Sequence, residues 1–192
     1  MALPPDERGW PHVSTILMAC GLGPDLSHVP ERFLEPARER GSSLHEAIEA
    51  DHYGLDLEPS LEAAPFFSAY RKFRAETDHE PIVSEFRVEH ALWRYIGRLD
   101  RVGWQTWPKL GRRRTLYDWK SGDTLDLKPV ARQLAAYRMA WNHMRPAEPI
   151  EVLAAVQFRS DGTYRLHRIE DPRAEEVFLA ATVVYRAGGG VR

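Results

Sequence analysis

The sequence predicts an α/β fold, a central mixed β-sheet of about four or five strands with an antiparallel meander, flanked by α-helices. Three observations predict it. Apolar residues recur at helical spacing between residues 31 and 76. Three stretches of strand character follow between 81 and 120, separated by short polar connections. A helix-length segment, 128–143, then leads into the apolar run IEVLAAVQF, which reads as a buried strand. Helices, meander, helix and buried strand in that order describe one sheet covered by helices.

The elements justify themselves in sequence. ERFLEPARERGSSLHEAIEADH (31–52) reads as helix, broken near Pro36 and restarted after Gly41 with Ser42 or Ser43 as N-cap. Residues 60–76 read as a second helix, with Leu61, Ala64, Phe67, Tyr70 and Phe73 on one face. Pro81 opens a strand, PIVSEFRVEH, that places Ile82, Ser84, Phe86 and Val88 on one side. RYIGRLDRVGW (94–104) and RTLYDWK (114–120) are the next strands, joined through QTWPKLGR. Pro129 suits the first turn of the helix 128–143. IEVLAAVQF (150–158) follows, then an edge strand TYRLHRI after the turn at Asp161-Gly162, and an amphipathic helix over 172–187. The end, AGGGVR, reads as a tail.

A length of 192 residues suits one domain, 1–192. Within it, 1–80 is mainly helical, 81–170 carries the sheet and its helix, and 171–192 is the last helix and tail. No apolar run approaches the roughly 18 residues of a membrane span. The N-terminus, MALPPDERGW, lacks an apolar signal core, so a cytoplasmic location is the expectation. The single cysteine, Cys20, excludes an internal disulfide, an all-cysteine zinc site and an iron–sulfur cluster held within the chain. The net charge of −2 does not suggest a general nucleic-acid coat. Its distribution says more: residues 1–75 carry a balance of −5 and residues 86–145 a balance of +8. A local excess of that kind attracts phosphates or forms a solvated basic face.

The chemistry-bearing residues fall in and around the basic segment. Asp100 ends GRLD on one strand, and Asp118 sits on the next. Antiparallel neighbours lie about 5 Å apart, so the two acids can converge, and a divalent cation between them relieves their repulsion. Oxygen donors favour Mg²⁺ or Mn²⁺. Lys120 lies two residues after Asp118, hence on the same strand face. It forms a salt bridge there, or orients a water, assists its deprotonation, or neutralises charge on a phosphoryl transition state. Gln133 and Tyr137 are one helical turn apart and can hold that lysine or a phosphate; equally, they belong to an ordinary amphipathic face with Leu134 and Trp141. His45, early in a helix, has Glu49 and His52 on its face, a set that could also hold zinc. Glu85 on the first strand can approach the same acids or stay at the surface.

In order and content these segments resemble the PD-(D/E)XK nucleases, in particular the RecB-type branch with its small phage exonucleases. RGSSLH resembles that branch's helical histidine motif, GRLD its glycine-to-aspartate strand, DWKSG its D-x-K strand end and QLAAY its Gln-and-Tyr helix. WPHVSTIL resembles the opening of phage members. The resemblance spans residues 10 to about 158. It implies a restriction-endonuclease-like core in which His45, Asp100, Asp118 and the Trp119 carbonyl hold Mg²⁺ or Mn²⁺, with Glu85 behind them. Lys120 is then catalytic, and Gln133 and Tyr137 support it and the DNA. The implied reaction is metal-dependent hydrolysis of DNA phosphodiesters to 5′-phosphate products, by an exonuclease favouring single strands or ends. A structure-specific endonuclease with the same site, and a non-catalytic DNA-binding or assembly module, are the alternatives. Arg112, Arg113 and Arg114, just before the Asp118 strand, are candidate phosphate contacts; Trp107, with Trp93, Trp104 and Trp119, is a candidate stacking surface. A free-standing protein is the expectation, with any helicase or recombination function supplied by a partner.

Overall fold

The computed structural model describes residues 4–27 and 29–189. The helices are α1 (Val13–Ala19), α2 (Glu31–His52), α3 (Ala64–Glu76), α4 (Leu127–Met144) and α5 (Ala174–Val184). The strands are β1 (Glu80–His90), β2 (Tyr95–Trp107), β3 (Gly111–Ser121), β4 (Val152–Phe158) and β5 (Tyr164–Ile169). They form one sheet in the order β1-β2-β3-β4-β5. β1 to β3 are the expected antiparallel meander; β3 and β4 run parallel, with α4 between them in sequence; β5 returns antiparallel at the edge.

The two faces of the sheet hold separate cores. On one, α1, α4 and α5 pack over Val88, Leu99, Val102, Leu116 and Leu153. On the other, α2 and α3 cover Tyr117, Trp119, Ala154, Val156 and Phe158. Alternation along β3 therefore sends Tyr117 and Trp119 to the α3 face and Leu116 to the α4 face. β4, covered on both sides, is buried at every position, as its unbroken apolar run requires. α4 starts where Asp126 accepts the Lys128 N–H at 3.0 Å, with Pro129 in its first turn as expected.

Several local expectations give way. α2 runs unbroken through Pro36 and Gly41. Pro36 removes only the bond to the Arg32 carbonyl, and that turn is solvent-exposed, so water can take the freed oxygen. Neither serine caps a helix: Ser43 Oγ instead accepts the Ser60 N–H at 2.7 Å and ties the α2–α3 connection to α2. Helix α3 begins at Ala64 with Pro65 behind it, leaving Leu61 89% exposed in the preceding turn and Ala64 itself exposed. Residues 13–19 form α1, for which no helix was expected. The β2–β3 connection shortens to Pro108–Leu110, so Arg112, Arg113 and Arg114 lie inside β3, opposite Thr106, Gln105 and Trp104. Of the tail AGGGVR, residues 190–192 lie outside the described residues. Among the described residues no helix is long and apolar enough to cross a membrane.

The face assignment in β1 also changes. Phe86 packs on Trp141 and Val88 enters the α4-side core, whereas Ser84 faces Arg101, under α2. The reason lies between them. Glu85 has φ 47°, the left-handed region that a β-strand residue with a side chain rarely adopts. One such residue shifts the phase of alternation, so Ser84 and Phe86 no longer share a face.

Candidate active site

The site forms where the sheet opens. The β2–β3 ladder runs from Trp107–Gly111 to Arg101–Tyr117 and stops. One step further in the same register sets Asp100 across from Asp118. There the backbone pairing is replaced: Asp100 Oδ2 accepts the Trp119 N–H at 2.7 Å. A strand residue points its N–H and C=O to the same edge, so the Trp119 carbonyl also faces the Asp100 side.

From β1, the kink at Glu85 turns its carboxylate toward α2. His45 Nδ1 donates to Glu85 Oε1 at 3.0 Å, and His45 Nε2 lies 3.9 Å from Asp100 Oδ2. One ligand atom each from His45, Glu85 and Asp100 falls within 4.8 Å of the others. Two helical turns along α2, His52 faces elsewhere, and Glu49 lies 3.8 Å from Arg98; the alternative set of His45, Glu49 and His52 does not form. Glu85, expected behind the other candidates, stands in this cluster.

Asp118 is 2% exposed and turned to Lys120. Lys120 Nζ donates to Oδ1 at 2.9 Å and lies 2.8 Å from Oδ2. Lys120 thus meets both carboxylate oxygens, with a hydrogen bond to Oδ1 and a close ion-pair contact to Oδ2. Burial and the neighbouring Asp100 push the Asp118 carboxyl up to about 6, against the pull of Lys120. Burial and Glu85 likewise raise Asp100, with His45 and Lys120 opposing. Burial works against protonating His45, but Asp100 and Glu85 outweigh it and lift the imidazole to about 9. Burial also opposes the charge on Lys120; Asp118 and Asp100 more than offset it and the ammonium keeps its proton.

On α4, Gln133 Nε2 donates to the Tyr137 hydroxyl at 3.0 Å. Burial and the three nearby carboxylates raise the Tyr137 phenol, so it stays protonated. This tyrosine explains the glycine of GRLD. A Cβ at Gly97 would lie 2.3 Å from Tyr137 Cε1, so only glycine lets the ring reach this position. Sequence reading missed that pairing, and it missed Arg98, whose Nε lies 3.0 Å from Glu85 Oε2 and also donates to the Glu85 carbonyl.

The proposed DNA contacts fare differently. Arg112 pairs with Glu80, Arg113 lies 3.5 Å from Glu151, and Arg114 lies over Trp104 and donates to the Pro149 carbonyl. They are four to six strand residues from Asp118, roughly 13–20 Å away. Trp107 is 7% exposed and donates to Thr115, so its ring is closed to a stacking base, and Trp119 is 2% exposed.

Two clefts meet this centre. One, of about 920 Å³, touches Glu85, Gly97 and Arg98 and is walled by the N-terminal segment with Arg8 and His12. The other, of about 590 Å³, touches Lys120 and Gln133 beneath Pro24, Leu26 and Val29. Two carboxylates and one imidazole, from Glu85, Asp100 and His45, could hold a metal ion, with the Asp118–Lys120 pair beside them.

Fold and site together define an α/β protein with a five-stranded mixed sheet and a His/Glu/Asp cluster able to hold a cation. No family model matches the chain, and no curated protein does. Among solved structures it is similar to a "putative exonuclease" from Eubacterium rectale, at 11% identity and a TM-score of 0.46, covering 81% of this chain and 69% of that one.

Proposed function

We propose that this protein is a metal-dependent nuclease that hydrolyses DNA phosphodiester bonds. One observation carries the reading: the cation-capable cluster of His45, Glu85 and Asp100 adjoins a buried Asp118–Lys120 pair where two strands part. A salt bridge on a solvated surface would not need two acids crowded around one imidazole beside a further buried carboxylate. A divalent cation held by His45, Glu85, Asp100 and Asp118 would supply Lewis acidity at a phosphoryl oxygen. The chain's own groups divide the remaining work. Lys120 carries its proton and so places positive charge where the phosphorus centre gains negative charge. Asp118 holds Lys120 in place, and the Gln133–Tyr137 pair offers an amide and a protonated hydroxyl on the α4 side. Arg98 fixes Glu85 from the solvent side.

DNA as substrate, and action at ends or single strands, follow the motif resemblance of RGSSLH, GRLD, DWKSG and QLAAY. A partner in recombination or unwinding belongs to the same reading. End-labelled single- and double-stranded DNA with Mg²⁺, Mn²⁺ or EDTA tests it, alongside Asp118→Ala and Lys120→Ala. Cleavage should require the metal and both residues, while Lys120→Ala keeps cation binding. Cutting in EDTA, or by either variant at the wild-type rate, would end the proposal. A closed circular substrate separates the modes: an exonuclease leaves it intact.

A further inference from the structure

One residue from Asp100, under α2, the chain buries a cation that no carboxylate touches; burial opposes its charge and outweighs Tyr70 and Asp51, which favour it. Arg101 is 1% exposed. Among the described residues no carboxylate lies within ion-pair distance of it. Its Nη2 reaches the Ser84 hydroxyl at 3.4 Å and the Ile48 carbonyl at 3.5 Å, both long, the Tyr70 hydroxyl lies beside the guanidinium, and Nε has no hydrogen-bond partner. The Trp119 ring lies 5.8 Å away. The carbonyls at the end of α2 offset part of the charge. A buried charge held by so little is costly, and chains usually pair it.

The surroundings sharpen the point. A cavity of about 260 Å³ opens beside Arg101, lined also by Asp51, His52, Tyr70, Arg74 and His79. Its acids are already occupied. Asp51 accepts from Tyr70 at 2.7 Å and from Arg74, while Glu80 at the margin is held by Arg112. Both ring nitrogens of His79 and Nδ1 of His52 are buried without partners. The cavity thus offers a guanidinium edge and two imidazoles, with Arg74 and Asp51 paired to each other at its rim. Its volume falls below the roughly 300 Å³ at which small-molecule pockets begin, which suits an ion and not a nucleotide.

We propose that this cavity, walled by Arg101, His52, His79 and Arg74, binds a free phosphate-sized oxyanion. The site is separate from the cluster at Asp100 and Asp118, and the inference goes beyond the nuclease reading without resting on it. An oxyanion there meets charge-assisted donors from Arg101 and from the Arg74 nitrogens that Asp51 does not engage, and neutral imidazoles can each donate one further hydrogen bond.

Calorimetric titration and thermal melting of the full chain test it, with sodium phosphate set against sodium chloride at equal ionic strength and EDTA present throughout. Phosphate should bind saturably and raise Tm by several degrees over chloride. Arg101→Met, close in volume, should lose that rise altogether. The milder changes Arg74→Gln and His52→Leu should each weaken phosphate binding about tenfold. Equal melting in phosphate and chloride would overturn the site, as would wild-type phosphate affinity in both milder variants. Because no metal or DNA is present, the result is independent of whether the protein cleaves anything.

Discussion

The β2–β3 hairpin carries charge at both ends, and the ends handle it in opposite ways. Near the turn, Arg112 and Arg113 meet Glu80 and Glu151 in solvent, one partner each. At the far end, Asp100, Asp118 and Lys120 sit in the protein with His45 and Glu85, and the acids are closer together than their charges favour. Exposed pairs are cheap to form and contribute little, about 0–1 kcal/mol each. Acids crowded together away from water cost stability, and a folded chain retains such a cost where it serves a site. The comparison teaches that charge content along the strand does not mark the site; the way the charge is buried does.

The sharpest way to break this comparison is to delete one charge at each end. Lys120→Ala should lower DNA cleavage about a thousandfold, within the range of a lost charged group at a reacting centre. Arg113→Ala should leave the rate within about threefold, with the salt dependence of DNA binding unchanged. Equal losses in a quantitative end-label assay would show that the two ends are not functionally distinct.

Next in size is the cation. Glu85→Gln should weaken Mn²⁺ binding about tenfold or more in calorimetry, because it removes one of the three clustered ligands. Glu151→Gln, its counterpart beside Arg113, should leave Mn²⁺ affinity untouched.

pH separates the ends as well. The folded imidazole of His45 titrates near 9, above its ordinary value of 6.5. The protonated ring therefore favours folding: its contribution is fully present below about pH 6.5 and is lost as pH rises through 9. His45→Gln should flatten the stability profile across that window in urea titrations. Since a cation needs the neutral ring, Mn²⁺ affinity should also climb with pH toward 9 and binding should release protons. Affinity independent of pH between 6.5 and 9 would remove His45 from the ligand set.

A smaller effect concerns packing behind the site. Gly97→Ala places a methyl against the Tyr137 ring and should cost about 1–3 kcal/mol, read as a lower urea midpoint with unchanged slope. Arg112→Ala, the exposed contrast, should shift stability by no more than about 0.5 kcal/mol.

Much of the architecture was legible in the chain. The meander, the buried β4 and the start of α4 follow from alternation, an unbroken apolar run, and Pro129. The candidate residues His45, Asp100, Asp118, Lys120, Gln133 and Tyr137 stood out in the chain as types at informative spacings. What misled was local rules applied where context prevails. Pro36 and Gly41 suggested a break, but a helix tolerates both where the disturbed turn is wet. Arg112 to Arg114 suggested a loop, but a strand carries them when each long side chain reaches solvent or a partner. Trp107 suggested an open ring, but its indole N–H found Thr115 and the ring went inside.

The sequence by itself determined the elements, their order, and the residues able to do chemistry, because those depend on periodicity and on side-chain type within a few neighbours. Only the tertiary structure decided that Glu85 joins His45 and Asp100, that Asp118 turns to Lys120, and that Arg101 is buried without an ion-pair contact. Those outcomes depend on a single left-handed residue in β1, on where the β2–β3 ladder stops, and on which helix covers which face. Each is a relation between segments far apart in the chain, and no local spacing encodes it.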